Sequence, residues 1–178
     1  IAVVTLHRWS VLSPLPLAEV WSGADDTTVL QWARAYVEVL SSELPIAAAA
    51  LFGSRARGNS LRTSDADLAI VSPAFAALGP FERLERAYQP DNWFRLGANI
   101  DLEVVTFSPD ELLRLQRPLT WDVLADGVVL ADDGTFAAAH ARFEAALAAG
   151  DLQRTAWGWR FTDRVGATDA DGEVLSGA

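Results

Sequence analysis

Cysteine is absent from this sequence, which excludes disulfides, zinc fingers and thiol catalysis together and leaves the redox compartment open. Lysine is absent too: all 14 basic residues are arginine, which with the abundant alanine indicates a compositional bias of the source genome rather than a chemical purpose. Long apolar runs are missing. Even the alanine-rich stretch from Ile46 to Phe52 stops at Gly53, far short of the ~20 residues a membrane helix needs, so no membrane span and a soluble, cytoplasmic protein are expected. The apolar stretch from Ile1 to Val20 has no basic leader and is broken by His7, Arg8, Pro14 and Pro16, which argues against a signal peptide. Positive charge is scarce as well. A formal net charge of −10 opposes non-specific nucleic-acid binding, and neither a basic face nor a helix-hairpin-helix signal is visible. Direct nucleic-acid binding and template-directed polymerisation are therefore not expected, and any phosphate handling must be local and metal-assisted.

What is present fits one domain: 178 residues, about half of them apolar, suffice for a single core. Between Asp25 and Ser42, apolar groups at Val29, Ala33, Tyr36, Val37 and Leu40 keep the spacing of a helix with one buried face. Pro45 ends that pattern, and Ile46 to Phe52 reads as a buried strand despite the poor β-propensity of alanine. Asp67 to Val71 and Ile100 to Phe107 read as two further strands. Between them Phe81, Leu84 and Tyr88 keep helical spacing, while Pro80, Pro90 and the surroundings of Trp93 predict an irregular loop that could cover a ligand. Ser108, Pro109, Asp110 and Glu111 form a helix-start signature. Gly127 precedes the apolar Val128 to Leu130, and Asp132, Asp133 and Gly134 predict a turn before a helix from about Thr135 to Ala149. The order α, β, short α, β, α, β, α, β, α makes this an α/β (α+β) chain. The core is expected over about 28–132, a helical extension over 133–165, and a mobile Gly-, Ala-, Asp- and Ser-rich tail over 166–178.

Chemistry concentrates in two pieces. Gly53 and Ser54 stand where a strand hands over to a helix, a place where backbone N–H groups and a hydroxyl can meet a phosphate. Ten residues later, Asp65 and Asp67 lie two apart at the head of a strand, so both carboxylates share one face while Leu68 and Ile70 point into the core. Such a pair repels itself unless a cation intervenes, and hard oxygens without His or Cys suit magnesium or manganese. Asp101, at the head of the next strand, can complete the site, and Glu103 shares its face. Singly, each feature is commonplace; an Asp before a strand or a Gly-Ser turn is usually only structural. His140 falls on the line Phe136, His140, Phe143, Leu147 and reads as helix-face packing, and His7 has no visible partner. Buried tryptophan is more often core than a stacking platform, and Trp93 is the one to test as a platform for adenine or an acceptor, whereas Trp157 and Trp159 alternate around Gly158 like a strand or a contact patch.

Gly53-Ser54, ten residues, then Asp65-x-Asp67 resembles the minimal nucleotidyltransferases, a branch of the DNA polymerase beta-like superfamily. The likeness covers roughly 28–132 and includes the apolar strand before Gly53 and the strand that carries Asp101. It implies a small mixed β-sheet flanked by helices and an enzyme that moves a nucleoside monophosphate, AMP from ATP in the first instance, onto a hydroxyl. It also implies two magnesium (or manganese) ions held by Asp65, Asp67 and Asp101, with Gly53, Ser54 and Arg57 at the nucleotide phosphates. Asp101 is preferred over Glu103 as third acid because family members place it at the head of this strand. Minimal members commonly act as antitoxins that modify a tyrosine of a HEPN-type toxin, so such a partner is what the resemblance suggests, and a homo-oligomer is compatible with it. Two other readings stand beside it: modification of a small alcohol, as in the similar aminoglycoside nucleotidyltransferases, and a nucleotide- or partner-binding module without turnover.

Overall fold

The computed structural model describes residues 23–162, so the expectations about a leader and about the tail at 166–178 lie outside the described residues. Asp25 caps helix α1 (Asp26–Ser41) by accepting the Thr28 N–H at 2.8 Å, and the five apolar residues of the periodic pattern form its buried face. Strand β1 (Ala48–Phe52) runs into a helix of a turn and a half, α2 (Gly53–Arg57), which leads to β2 (Ala66–Val71). Strand β3 (Leu102–Phe107) pairs parallel with β2, while β1 pairs antiparallel with both β2 and β4 (Val128–Asp132), giving the order β3-β2-β1-β4. The small mixed sheet expected from the resemblance is therefore present.

A parallel pair needs a crossover, and here it consists of a 3-10 turn at Pro73–Phe75 with helices α3 (Pro80–Ala87) and α4 (Pro90–Arg95). After β3, Ser108 opens α5 (Pro109–Leu113): its hydroxyl accepts the Glu111 N–H at 3.3 Å, and the Glu111 carboxylate accepts the Ser108 N–H at 2.8 Å. Glu111 also receives Arg83 at 2.6 Å, tying α3 to the end of β3. Helix α6 (Pro118–Asp126) precedes β4, and α7 (Thr135–Ala148) follows it.

Strand periodicity divides the core into two clusters, one on each face of the sheet. Leu51, Leu68, Ile70, Leu102 and Val104 pack with Val29, Tyr36 and Leu40 of α1. Ala48, Ala50, Phe52, Ala69, Val71 and Phe107 pack with Trp121 and Leu124 of α6 and with Phe136 and Phe143 of α7. Every residue of β1 is buried, so burial on both faces overrides the weak β-propensity of its alanines.

Two expectations are corrected and one unforeseen helix is added. The segment around Trp93 is not an irregular loop but α4, and Trp93 is wholly buried. Its Nε1–H donates to the Ile100 carbonyl at 2.9 Å, and its ring meets Trp32 and Tyr36 edge-on at 6.1 and 5.8 Å. It is a core residue with a satisfied indole and cannot stack on a ligand. Trp93→Phe keeps most of the apolar volume but orphans the Ile100 carbonyl, so urea unfolding should show a loss of about 1–2 kcal/mol. The unforeseen helix is α6, which has no clear sequence signal. The second correction is that the extension is not helical throughout: Gly150, at φ +75°, ends α7, and a hairpin follows, β5 (Leu152–Thr155) with β6 (Gly158–Phe161). Trp159 packs edge-on against Trp121 and Phe143, whereas Trp157, at the turn, is 98% exposed.

Candidate active site

The site grows from one crowded corner. Phe52, the last residue of β1, pairs with Asp67 of β2, so Gly53 arrives beside the Asp67 carboxylate. Gly53 has φ +72°, and a Cβ placed on it would lie 2.1 Å from Asp67 Oδ2. Only glycine fits, for conformation and for space. The parallel register then sets Asp67 opposite Glu103, and the Ala66 N–H donates to the Asp101 carbonyl at 2.9 Å. Asp65 and Asp101 thus enter neighbouring strands side by side, one step before Asp67 and Glu103.

The carboxylates feel one another. Burial pushes the Asp67 carboxyl up to about 6, helped by the charge of Glu103, by a hydrogen bond with that side chain and by Asp65, while Arg57 acts in the opposite direction. Asp65 is raised as well, by burial first and then by Asp101 and Glu103, against the pull of Arg55. Tyr88, assigned from sequence only to a helix face, is raised by burial and by the charge of Asp101. Four acids in one field lack a countercharge of matching size, and their oxygens are the donor set of a hard divalent cation. Among the described residues no three His, Cys, Asp or Glu side chains converge on a single ion position as they stand. Asp65, Asp101 and Glu103 are exposed, so packing does not fix their rotamers.

Arg55 and Arg57 lie two apart on α2, a rotation of roughly 200° that sends them to opposite sides. Arg55 turns inward and is buried. Its guanidinium donates to the carbonyls of Ala24 at 2.8 Å, Arg62 at 2.9 Å and Ser64 at 2.6 and 3.1 Å, and pairs with Asp26 at 3.1 Å. It therefore clamps the loop that delivers Asp65. Arg57 turns outward to Asp126 of α6 at 3.1 Å. Since α2 has only five residues, its dipole is small, and any anion contact there must come from the local N–H groups and the Ser54 hydroxyl. His140 lies outside the site, between Phe136 and Phe143 on α7 and 3.7 Å from Glu144, as its spacing implied.

The family model of a nucleotidyltransferase domain matches residues 33–122, just over half of the chain, and the match contains Gly53, Ser54, Asp65, Asp67, Asp101 and Glu103. The chain belongs to this family. It is thus a nucleotidyltransferase of the polymerase beta-like superfamily. Among solved structures, a candidate nucleotidyltransferase from Sulfolobus solfataricus is 24% identical, with a TM-score of 0.45 over 61% of this chain and 84% of that one. A toxin-antitoxin structure with AMP-PNP is 19% identical, with a TM-score of 0.45 over 66% and 89% of the two chains. A mutant of the MntA-HpeT toxin-antitoxin is 17% identical, with a TM-score of 0.47 over the same shares, 66% and 89%. No curated protein matches the sequence.

For the nucleotidyltransferase, two residues beyond the motif now matter. Arg55 could have been suspected from its i, i+2 spacing with Arg57, since one of the two must face the protein. Asp126 could not, because it lies 69 residues from its partner Arg57. Among the described residues no helix is long and apolar enough to cross a membrane.

Proposed function

We propose that the enzyme transfers a nucleoside monophosphate, AMP from ATP, to a hydroxyl on a partner, with Asp65, Asp67 and Asp101 holding magnesium and Gly53, Ser54 and Arg57 receiving the triphosphate. The observation that carries this reading is the strand-end cluster of Asp65, Asp67, Asp101 and Glu103, in which burial and then the neighbouring carboxylates raise Asp65 and Asp67, with Gly53 leaving room for the Asp67 carboxylate. Magnesium, when bound, would supply positive charge to the triphosphate and to the entering hydroxyl. The chain's own residues do the rest. Asp67, held against Gly53, would together with Asp65 hold the magnesium. Asp101, exposed at the entry to β3, takes the acceptor proton as the hydroxyl oxygen bonds to the α-phosphorus, the bond to the β-phosphate oxygen breaks and pyrophosphate leaves. Glu103, hydrogen-bonded to Asp67, keeps that carboxyl in place.

The acceptor suggested by the likeness to minimal nucleotidyltransferases is a tyrosine of a HEPN-type toxin, which makes the protein an antitoxin. The test is incubation with magnesium and ATP labelled at the α-phosphate, alone and with proteins encoded beside or co-purifying with the chain. Label on a partner protein, removed by Tyr→Phe in that partner, is the expected result. Label appearing on aminoglycosides instead would move the acceptor to small alcohols. Tight magnesium-dependent ATP binding with no transfer to any acceptor would reduce the chain to a binding module.

A further inference from the structure

Arg57 is held by a residue that lies beyond the matched domain. Its Nη1 sits 3.1 Å from Oδ2 of Asp126, at the C-terminal end of α6. The same carboxylate is gripped on both oxygens by Arg154 of β5, Nη1 to Oδ1 at 2.7 Å and Nη2 to Oδ2 at 2.7 Å. Asp126 is the enclosed member, its side chain 11% exposed against 38% for Arg57 and 46% for Arg154. Arg154 is itself fixed, lying 5.3 Å over the Trp159 ring, whose Nε1–H donates to Asp122 at 2.9 Å. Asp122 and Asp126, one turn apart on α6, therefore hold the hairpin with one acid each.

Charge counting gives the consequence. Two guanidinium groups share the one Asp126 carboxylate, and Asp122 is a second acid whose charge acts on Arg154, in a chain whose net charge is −10. The short bidentate pair belongs to Arg154 and Asp126, so that pair neutralises itself, and the longer, single contact to Arg57 orients that guanidinium without cancelling it. Its positive field reaches Asp67. We propose that Asp126 and Arg154 are positioning residues for Arg57: Asp126 aims it, and Arg154 cancels the Asp126 charge so that Arg57 stays available to a nucleoside triphosphate. This rests on the nucleotide-transfer reading, and it gives the C-terminal hairpin a role in binding substrate.

Calorimetric titration of the full chain with magnesium-ATP, at low and moderate salt, tests the proposal. Arg154→Ala bares Asp126, which then pairs fully with Arg57 and repels the triphosphate, so the Kd should rise roughly tenfold, more at low salt. Adding Asp126→Asn to Arg154→Ala should bring the Kd back to within about threefold of wild type, because the offending charge is gone while an amide oxygen remains to accept from Arg57 and aim it. Arg154→Lys should lie between. A purely structural hairpin would respond differently: the double variant would bind as poorly as the single one. That result, or an unchanged Kd in Arg154→Ala, overturns the proposal while leaving the nucleotide reading intact. A wild-type chain with no affinity for magnesium-ATP overturns both.

Discussion

Asp67→Asn is expected to lower nucleotidyl transfer by about 10³-fold, or ~4 kcal/mol of transition-state stabilisation, while making the protein more stable. The two effects have one cause. Asp67 is packed against Gly53 and faces Glu103 across the parallel register, so its charge is costly until a cation shares it. Burial and Glu103 raise its carboxyl from the ordinary 3.8 to about 6 in the folded chain. Between those values the folded state keeps a proton that the unfolded state has lost. Stability therefore falls as pH rises from about 4 through 6 and is flat above. Asparagine removes the penalty at neutral pH. After a discount for partial solvent screening the gain is about 1 kcal/mol, or roughly 2–4 °C in Tm, and it should vanish near pH 4. Thermal scans at pH 4 and 7.5, with a labelled-ATP assay on the same preparations, check both halves. Full activity in the variant would sink the metal-site assignment, and a lower Tm at pH 7.5 would sink the repulsion argument.

Arg55→Ala is expected to cost about 3–4 kcal/mol and to drop Tm by roughly 10 °C. The side chain is fully enclosed, and its loss removes an ion pair to Asp26, takes the guanidinium donors from the carbonyls of Ala24 and Ser64, and leaves the Arg62 carbonyl with the Ala24 N–H alone. Those carbonyls belong to the segment entering α1 and to the loop before β2, so the damage falls where Asp65 is delivered. Transfer should be lost even at temperatures where the variant remains folded. Arg55→Lys is the informative control: three donors on a point charge cannot reproduce a planar fork spread over three carbonyls, and at least half of the stability loss should persist in denaturant titrations. A lysine variant with wild-type stability would mean that charge alone, without the fork geometry, holds the loop.

Most of the fold was legible because its elements announce themselves locally. The one-faced pattern of α1, the Ser108 capping box and the turn before α7 all depend on neighbours within a few residues, and they fold as their sequences indicate. Trp93 was misread because two prolines and an aromatic cluster resemble a loop when the partners of the aromatic are not known. Trp32 and Tyr36 of α1, some sixty residues earlier, convert it into core. The hairpin after Gly150 is legible only in part: the alternation around Gly158 allows a strand or a contact patch, and what decides for the strand is the packing of Trp159 on Trp121 and Phe143.

By itself the sequence determined the family and the chemical inventory: Gly53-Ser54, the Asp65-x-Asp67 pair at a strand head, the third acid at the next strand and the absence of softer metal ligands. Those are features of spacing, and a strand's two-residue period converts spacing directly into a shared face. The tertiary structure alone decided that Glu103 stands opposite Asp67, that Arg55 is a buried clamp while Arg57 faces Asp126, and that a C-terminal hairpin reaches back to that pair. Each of these depends on which strands pair, in what register, and which helix covers them. Such relations are set by burial of the whole core, and no local stretch of the chain encodes them.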